Sequence, residues 1–295
     1  MRAVTGAVAL ALAFPAHAHG VRALSDDVGA DAIVAALIAA AALAYVLGTR
    51  RLASRRSLQR PRASHDGWWL AAGLVVLAVS LLGPLDSLAA RSFAAHMLQH
   101  EVLMLVAAPL LVLGRPLARW TWAFSQRGRG RLRRALDVWR SLGVWRVCTS
   151  VAGACALQSV ALFAWHLPVA FRAALEQPWL HVFQHATFLA VALCFWWTVL
   201  RPGPARRVAP PAIASLFFTT LTTGALGALL TFSSVAWYAE PETLPPWGLS
   251  ATEDQQLGGL IMWIPGGTLY LLVALVLAAR ALRGGSVSAR AVGAG

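Results

Sequence analysis

Five of the eight histidines form two i, i+4 pairs and one isolated position. His96 with His100, and His181 with His185, both read H-x-x-Q-H, so each pair projects from one face of a helix about 6 Å apart along its axis. His166 stands alone within the sequence Trp-His-Leu-Pro. Imidazole is a common ligand of copper and zinc. The pattern therefore predicts a metal or haem site built from these five side chains.

Polar and sulphur-containing neighbours extend this site. Gln99 and Gln184 lie inside the two motifs and are predicted to orient the rings by hydrogen bonding. Glu101 is an acid inside an apolar run, a position that is usually functional, although a buried partner for an imidazolium or a hydroxyl is the alternative. Met104, one helical turn beyond His100, is a thioether that suits Cu(I), with core packing as its alternative.

Two acids precede the last apolar run of the chain. Glu253 is predicted to cap the N-terminus of a helix, where carboxylates are favoured. Asp254 is predicted to approach the histidines as an auxiliary residue of the site. Met262 follows on the same run and, like Met104, is either a thioether ligand or part of the core.

The apolar runs that carry these residues define the class of protein. Hydrophobic residues make up 58% of the 295 residues and charged residues only 13%, where soluble domains are nearer to a half and a quarter. Seven runs of about 18–25 residues match a hydrocarbon core of roughly 30 Å. They lie near 30–48, 67–84, 93–113, 147–167, 180–200, 211–235 and 257–279. The sequence predicts an all-α, polytopic membrane helical bundle of about seven transmembrane helices, with 19–295 as a single domain.

Charge is distributed unequally between the two sets of connecting segments. Arginines concentrate in the segments after the first, third, fifth and seventh runs, and most acids lie in the other segments. Basic residues favour the cytoplasmic side, so we expect the N-terminus outside, the C-terminus inside and all five histidines near the outer surface. This pattern also accounts for the net charge of +13 without a nucleic-acid partner. The basic, tryptophan-containing segment 114–146 is predicted to be either an amphipathic helix on anionic lipid or a solvated loop.

Residues 1–18 have the features of a signal peptide, with Arg2, an apolar stretch and an A-x-A cleavage pattern. Cleavage after Ala18 would expose His19, whose amine and imidazole together suit Cu(II). An uncleaved segment would form an extra short helix instead. The three cysteines all lie in apolar runs, and their odd number predicts packing residues rather than a disulfide framework.

Four motifs, in order along the chain, resemble the CtaG-type assembly factors of caa-type cytochrome oxidases. They are 96–100 with Met104 and the stretch 109–116, then 165–168, 181–185 and 254–267. The resemblance covers roughly 30–280. It implies a multi-pass protein of the bacterial inner (plasma) membrane that helps to mature the copper-containing centre of a haem-copper oxidase. It also implies copper as the metal, the five histidines as candidate ligands, and the oxidase catalytic subunit or another assembly factor as the partner.

Two other functions fit the histidines taken alone. An intramembrane zinc hydrolase also uses several histidines and an aspartate to activate water, but such a site needs about three ligands and an open position, whereas five histidines are at hand. A haem-binding or quinone-interacting membrane protein could use one histidine from each of two helices. The residue pattern leaves copper, zinc and haem open.

Overall fold

A computed structural model of the protein describes residues 24–55, 65–200, 205–238 and 247–292, and every regular element within them is a helix. The predicted signal segment 1–18 and His19 lie outside these residues. The all-α prediction is therefore confirmed for the described part of the chain.

The helices follow one another with short connections. Within the described ranges they are α1 Leu24–Arg55, α2 Asp66–Leu82, α3 Pro84–Ala89, α4 Phe93–Glu101, a π-helical segment Val102–Ala107, α5 Ala108–Leu113, α6 Pro116–Ala123, α7 Gln126–Ser141, α8 Gly143–Thr149, α9 Val151–Trp165, α10 Pro168–Glu176, α11 Pro178–Val199, α12 Ala205–Thr231 and α13 Ala251–Val292. Short α3 and α10 lie beside the helices that carry histidines.

Six segments are long and apolar enough to cross a membrane, and the bent pair α8–α9 makes a seventh. The six are Gly29–Ser54, Asp66–Ala89, Phe93–Leu113, Pro178–Val199, Ala209–Thr231 and Ala251–Arg283. Each overlaps a run expected from the sequence. The chain is a multi-pass membrane protein, as predicted.

The fourth span differs from the single helix expected over 147–167. It bends by 87° between α8 and α9, because Ser150 has an extended backbone and its hydroxyl caps α9 by accepting from the Gly153 amide at 3.0 Å. A Cβ on Gly153 would lie 2.2 Å from the Val147 carbonyl oxygen, so glycine permits the sharp turn. The 15 residues of α9 rise about 22 Å at 1.5 Å per residue, which is less than a full hydrocarbon core.

The last two spans also differ from their predicted limits. The sixth ends at Thr231 instead of 235, and the seventh extends from Ala251 to Val292 instead of 257–279. Its early start comes from a capping box. The Glu253 carboxylate accepts from the amide and hydroxyl of Ser250, both at 2.8 Å. The predicted capping role of Glu253 is confirmed.

The buried core lies between α2, α11 and the span that begins with α4. Phe188, Phe195 and Trp196 of α11 pack there with Leu70 and Leu103. The Trp196 indole N–H donates to the Met104 carbonyl at 2.8 Å. Because this hydrogen bond joins two helices that carry histidine pairs, it helps to fix their relative position. The three cysteines are free thiols, as expected.

The basic segment 114–146 is helical. Its first helix, α6, packs on α1, where the Trp120 indole donates to the Ala41 carbonyl at 2.9 Å. Arg119 pairs with Asp66 at 3.1 Å at the start of α2. The next helix, α7, has no buried residue, so the segment is a surface helix and not an irregular loop.

Candidate metal centre

Helix α4 carries the first histidine pair, and Ser92 forms its N-cap. The Ser92 hydroxyl accepts from the Ala95 amide at 3.1 Å. The carboxylate of Asp254, from α13, accepts from the Ser92 hydroxyl at 2.7 Å and from the amides of Phe93 and Ala94 at 2.6 and 3.3 Å. Asp254 therefore fixes the start of the helix that holds His96 and His100. Asp254 was predicted as an auxiliary residue of the site, and these contacts give it a positioning role.

Each i, i+4 pair lies on one face of its helix, as the spacing predicts, and in the structure the two faces meet. The ring centroids lie 4.5 Å apart for His96 and His100, and 4.3 Å apart for His181 and His185. Between the two helices, His96 lies 5.2 Å from His181, and His100 lies 5.2 Å from His185. Four imidazoles thus form one cluster between α4 and α11.

Three of these rings have the geometry closest to a metal site. One nitrogen each from His96, His181 and His185 lies within 4.8 Å of the other two. Bonds of about 2.0–2.1 Å in a tetrahedral site place ligand nitrogens about 3.4 Å apart. Side-chain adjustments of an ångström or so would therefore close the triad around one ion.

Ring nitrogens within the cluster lack hydrogen bonds. Both nitrogens of His96, both of His100 and Nε2 of His185 are buried and have no partner of normal hydrogen-bond geometry among the described residues. These three residues are at most 6% exposed. Buried polar groups are nearly always paired, and each unpaired one costs about 1–3 kcal/mol. A bound cation or ordered water would remove that cost.

His166 lies at the edge of the cluster, with its ring 6.5 Å from that of His100. Its Nδ1 lies 2.7 Å from the Leu162 carbonyl oxygen, and since a carbonyl only accepts, Nδ1 carries the proton. Nε2 then presents a lone pair and faces the Met97 sulphur at 3.3 Å. A backbone carbonyl commonly holds the second nitrogen of a metal-binding histidine, and in His166 the remaining nitrogen contacts Met97.

Aromatic side chains pack against the histidine cluster at two of its members, His96 and His100. Phe93, Phe171 and Tyr238 contact one another, with centroids 4.6–5.4 Å apart. Phe171 packs on His96 at 5.1 Å, and Phe188 packs on His100 at 4.6 Å. The Tyr238 hydroxyl donates to the His166 carbonyl at 2.6 Å, and burial raises the pKa of Tyr238 to about 12. The phenol consequently keeps its proton at neutral pH.

The two glutamines have different surroundings. Gln99 donates to the Ser80 carbonyl and to the Asp86 carboxylate, both at 2.8 Å, so it ties α4 to α2 and α3 rather than orienting an imidazole. Gln184 is fully buried and lies beside His96, but its amide makes no hydrogen bond of normal geometry with described residues. Gln184 is thus the better placed of the two to orient a ring.

Glu101 and Met104 line a second, smaller cavity. It has a volume of about 10 Å³, room for a single water, and Gln158 and Tyr270 also line it. None of the five histidines belongs to its lining. A π-helical segment begins at Val102 and includes Met104.

Sequence reasoning missed three residues near the cluster. Met97 faces His166, and Asp31 and Asp86 line a cavity that His181 and His185 also line. Met97 follows His96 directly, which on a helix places it about 100° around the axis, so the motif offered no sign that the two belong together. The two acids could have been noticed as carboxylates near span ends.

Comparison with known proteins gives one match. The family described as cytochrome c oxidase caa3 assembly factor matches residues 43–284. No curated protein and no solved structure matches the chain. The matched range contains all four motifs and all five histidines of the cluster.

Proposed function

Because the chain belongs to the cytochrome c oxidase caa3 assembly factor family, we propose that it handles copper for the maturation of a haem-copper oxidase. The ion is cargo, held by ring nitrogens of His96, His181 and His185, with His100 and His166 beside them. The observation that carries the proposal is a set of buried imidazole nitrogens, gathered from two helices, that make no hydrogen bond of normal geometry with the described residues.

The donor set suits copper that is held and then passed on. Imidazole nitrogen is a good ligand for copper. Three neutral rings leave the charge of the ion uncompensated in a buried site, and burying such a charge is costly. A site of this kind favours transient retention over permanent incorporation, in keeping with an assembly factor.

Location and partner follow from the charge pattern and the family. We place the protein in the bacterial inner (plasma) membrane, with the N-terminus and the histidine cluster at the outer surface. The partner is the oxidase catalytic subunit or another assembly factor. The basic segment 114–146 then lies on the cytoplasmic side, next to the lipid headgroups.

Metal analysis with an optical spectrum of the purified protein tests the proposal. We expect copper bound by the wild type, a loss of affinity of at least about 100-fold in His185→Ala, and no change in His65→Ala. His65 is an exposed histidine at the start of α2, so it controls for the loss of an imidazole as such. Zinc would indicate the hydrolase alternative, and a Soret band would indicate the haem alternative.

Oxidase maturation in cells is the second measurement. His100→Ala and His185→Ala should abolish assembly of the active oxidase while the variant protein stays inserted and abundant. If both variants keep metal content and oxidase activity, the cluster is structural and the proposal is wrong. If metal is lost but the oxidase still matures, copper binding serves another purpose.

A further inference from the structure

A cavity of about 200 Å³ lies against the histidine cluster on the side away from the aromatic residues. Helices α1, α2, α3 and α11 form its walls. His181 and His185 line it from α11, and Asp31 and Asp86 line it from α1 and α3. Asp31 lies two residues after Gly29, where the first span begins, so the cavity reaches one end of that span.

One residue that lines the cavity, His185, also carries a buried ring nitrogen without a hydrogen bond to the described residues. His185 is 6% exposed, and its Nε2 lacks a partner among the described residues. The same side chain belongs to the triad whose nitrogens lie within 4.8 Å of one another. The cavity therefore shares two side chains, His181 and His185, with the candidate metal centre and lies directly beside it.

Aromatic rings pack against the cluster at two other histidines. Phe171 covers His96, and Phe188 covers His100. Phe93 and Tyr238 stack at 4.7 Å behind Phe171. A hydrated ion cannot cross a packed aromatic layer without losing its water at high cost, whereas carboxylates and imidazoles can replace that water with oxygen and nitrogen ligands.

We infer that this cavity is the port through which a metal cation reaches and leaves the histidine cluster, with Asp31 and Asp86 as the carboxylates that attract it. The inference rests on the proposed function of the cluster. Charged residues of one sign that line a cleft raise the local concentration of the opposite ion and its rate of binding, by about 10-fold or more at low ionic strength. The carboxylates of the port therefore set the rate at which the metal ion binds, and the histidines set the affinity for the ion.

Asp31 is the better residue to test, because Asp86 also accepts the hydrogen bond from Gln99. Asp31→Asn keeps the shape and removes the charge. Ala186→Trp fills the cavity from α11, where Ala186 is an exposed lining residue. Val160→Trp is the matched control, since Val160 is 66% exposed on α9 and does not line the cavity.

The experiment is stopped-flow loading of the full chain in nanodiscs with Cu(II), followed by quenching of tryptophan fluorescence and by final metal content. We expect Asp31→Asn to load about tenfold more slowly at low salt, and to approach the wild-type rate in high salt as charges are screened. Ala186→Trp should be slow at every salt concentration. Both variants should reach the wild-type metal content, and Val160→Trp should load at the wild-type rate.

The outcomes separate the port from the site. If the wild type binds Cu(II) and both cavity variants load as fast as Val160→Trp, the port is wrong and the copper site stands. If the wild type takes up no Cu(II), the proposed function and the port fall together. A lowered final metal content with an unchanged rate would make Asp31 a ligand and would also overturn its role in the port.

Discussion

Polar side chains are buried at one end of the bundle and exposed at the other. At the histidine end, which holds the five histidines and the aromatic residues around them, His96, His100, His166 and His185 are at most 6% exposed. At the arginine-rich end, formed by α6, α7 and α8, no side chain is buried. The difference shows that the free-energy cost of burying polar groups falls on the histidine end.

Exposed arginines cost little, because water solvates them, and they influence orientation through the membrane. Buried imidazoles without partners cost about 1–3 kcal/mol per unpaired group. A polar residue therefore informs about function mainly where it is buried. By that criterion the buried histidines inform more about function than the exposed arginines do.

The largest effect is expected for membrane topology, because a fused reporter lies either on the cytoplasmic side or on the outer side. Reporters fused within 125–135 or after Arg290 should show cytoplasmic activity, and a reporter near Glu240 should show activity in the outer compartment. The reason is the arginine content of the first two positions. Reversal at any position would mean that the histidine end faces the cytoplasm.

Asp254→Ala should have the next largest effect, and it should act on stability. Asp254→Ala removes three hydrogen bonds to the first turn of α4. Hydrogen bonds to charged groups contribute about 1.5–3 kcal/mol each, so we expect a clear drop in the thermal midpoint and weaker metal binding. Glu253→Ala is the control, since Glu253 caps α13 at the exposed surface. Equal effects of the two substitutions would argue against a positioning role.

Tyr238 should have a smaller effect. Tyr238→Phe removes the hydrogen bond to the His166 carbonyl and should cost about 1 kcal/mol. The phenol has a pKa of about 12 in the folded protein and about 10 when unfolded, so the unfolded chain loses its proton first as pH rises from 10. The wild type should therefore lose stability over this range, and Tyr238→Phe should lose less. Parallel pH curves for both proteins would contradict this account.

The smallest expected effect concerns α7. Val138 and Trp139 are 62% and 55% exposed among its arginines, so we expect the helix to lie on anionic lipid, with about 1 kcal/mol from each arginine near the surface. A spin label at Val138→Cys, with the native cysteines replaced by alanine, should be immersed more deeply in anionic than in zwitterionic nanodiscs. The same depth in both lipids would favour a solvated helix.

The sequence predicted the spans and the histidine pairs well, because both depend on local periodicity. The 20-residue scale of a membrane helix is visible in composition, and i, i+4 spacing places two rings on one face of any α-helix. The bend in the fourth span was not predicted from the sequence. It depends on Ser150 and Gly153, and serine and glycine also occur in continuous helices. The π-helical segment that contains Met104 was not predicted, because its residues are those of an ordinary apolar helix.

By itself the sequence determined an all-helical membrane chain, about seven spans and two helix faces that each carry a pair of imidazoles, since these follow from hydrophobicity and helical repeat. Only the tertiary structure decided which faces meet. The rotation of each helix about its axis depends on packing between distant segments, and it places Asp254 at the start of α4, Met97 against His166, and Asp31 with Asp86 beside the histidines. Such contacts join residues far apart in the chain, so no local pattern encodes them.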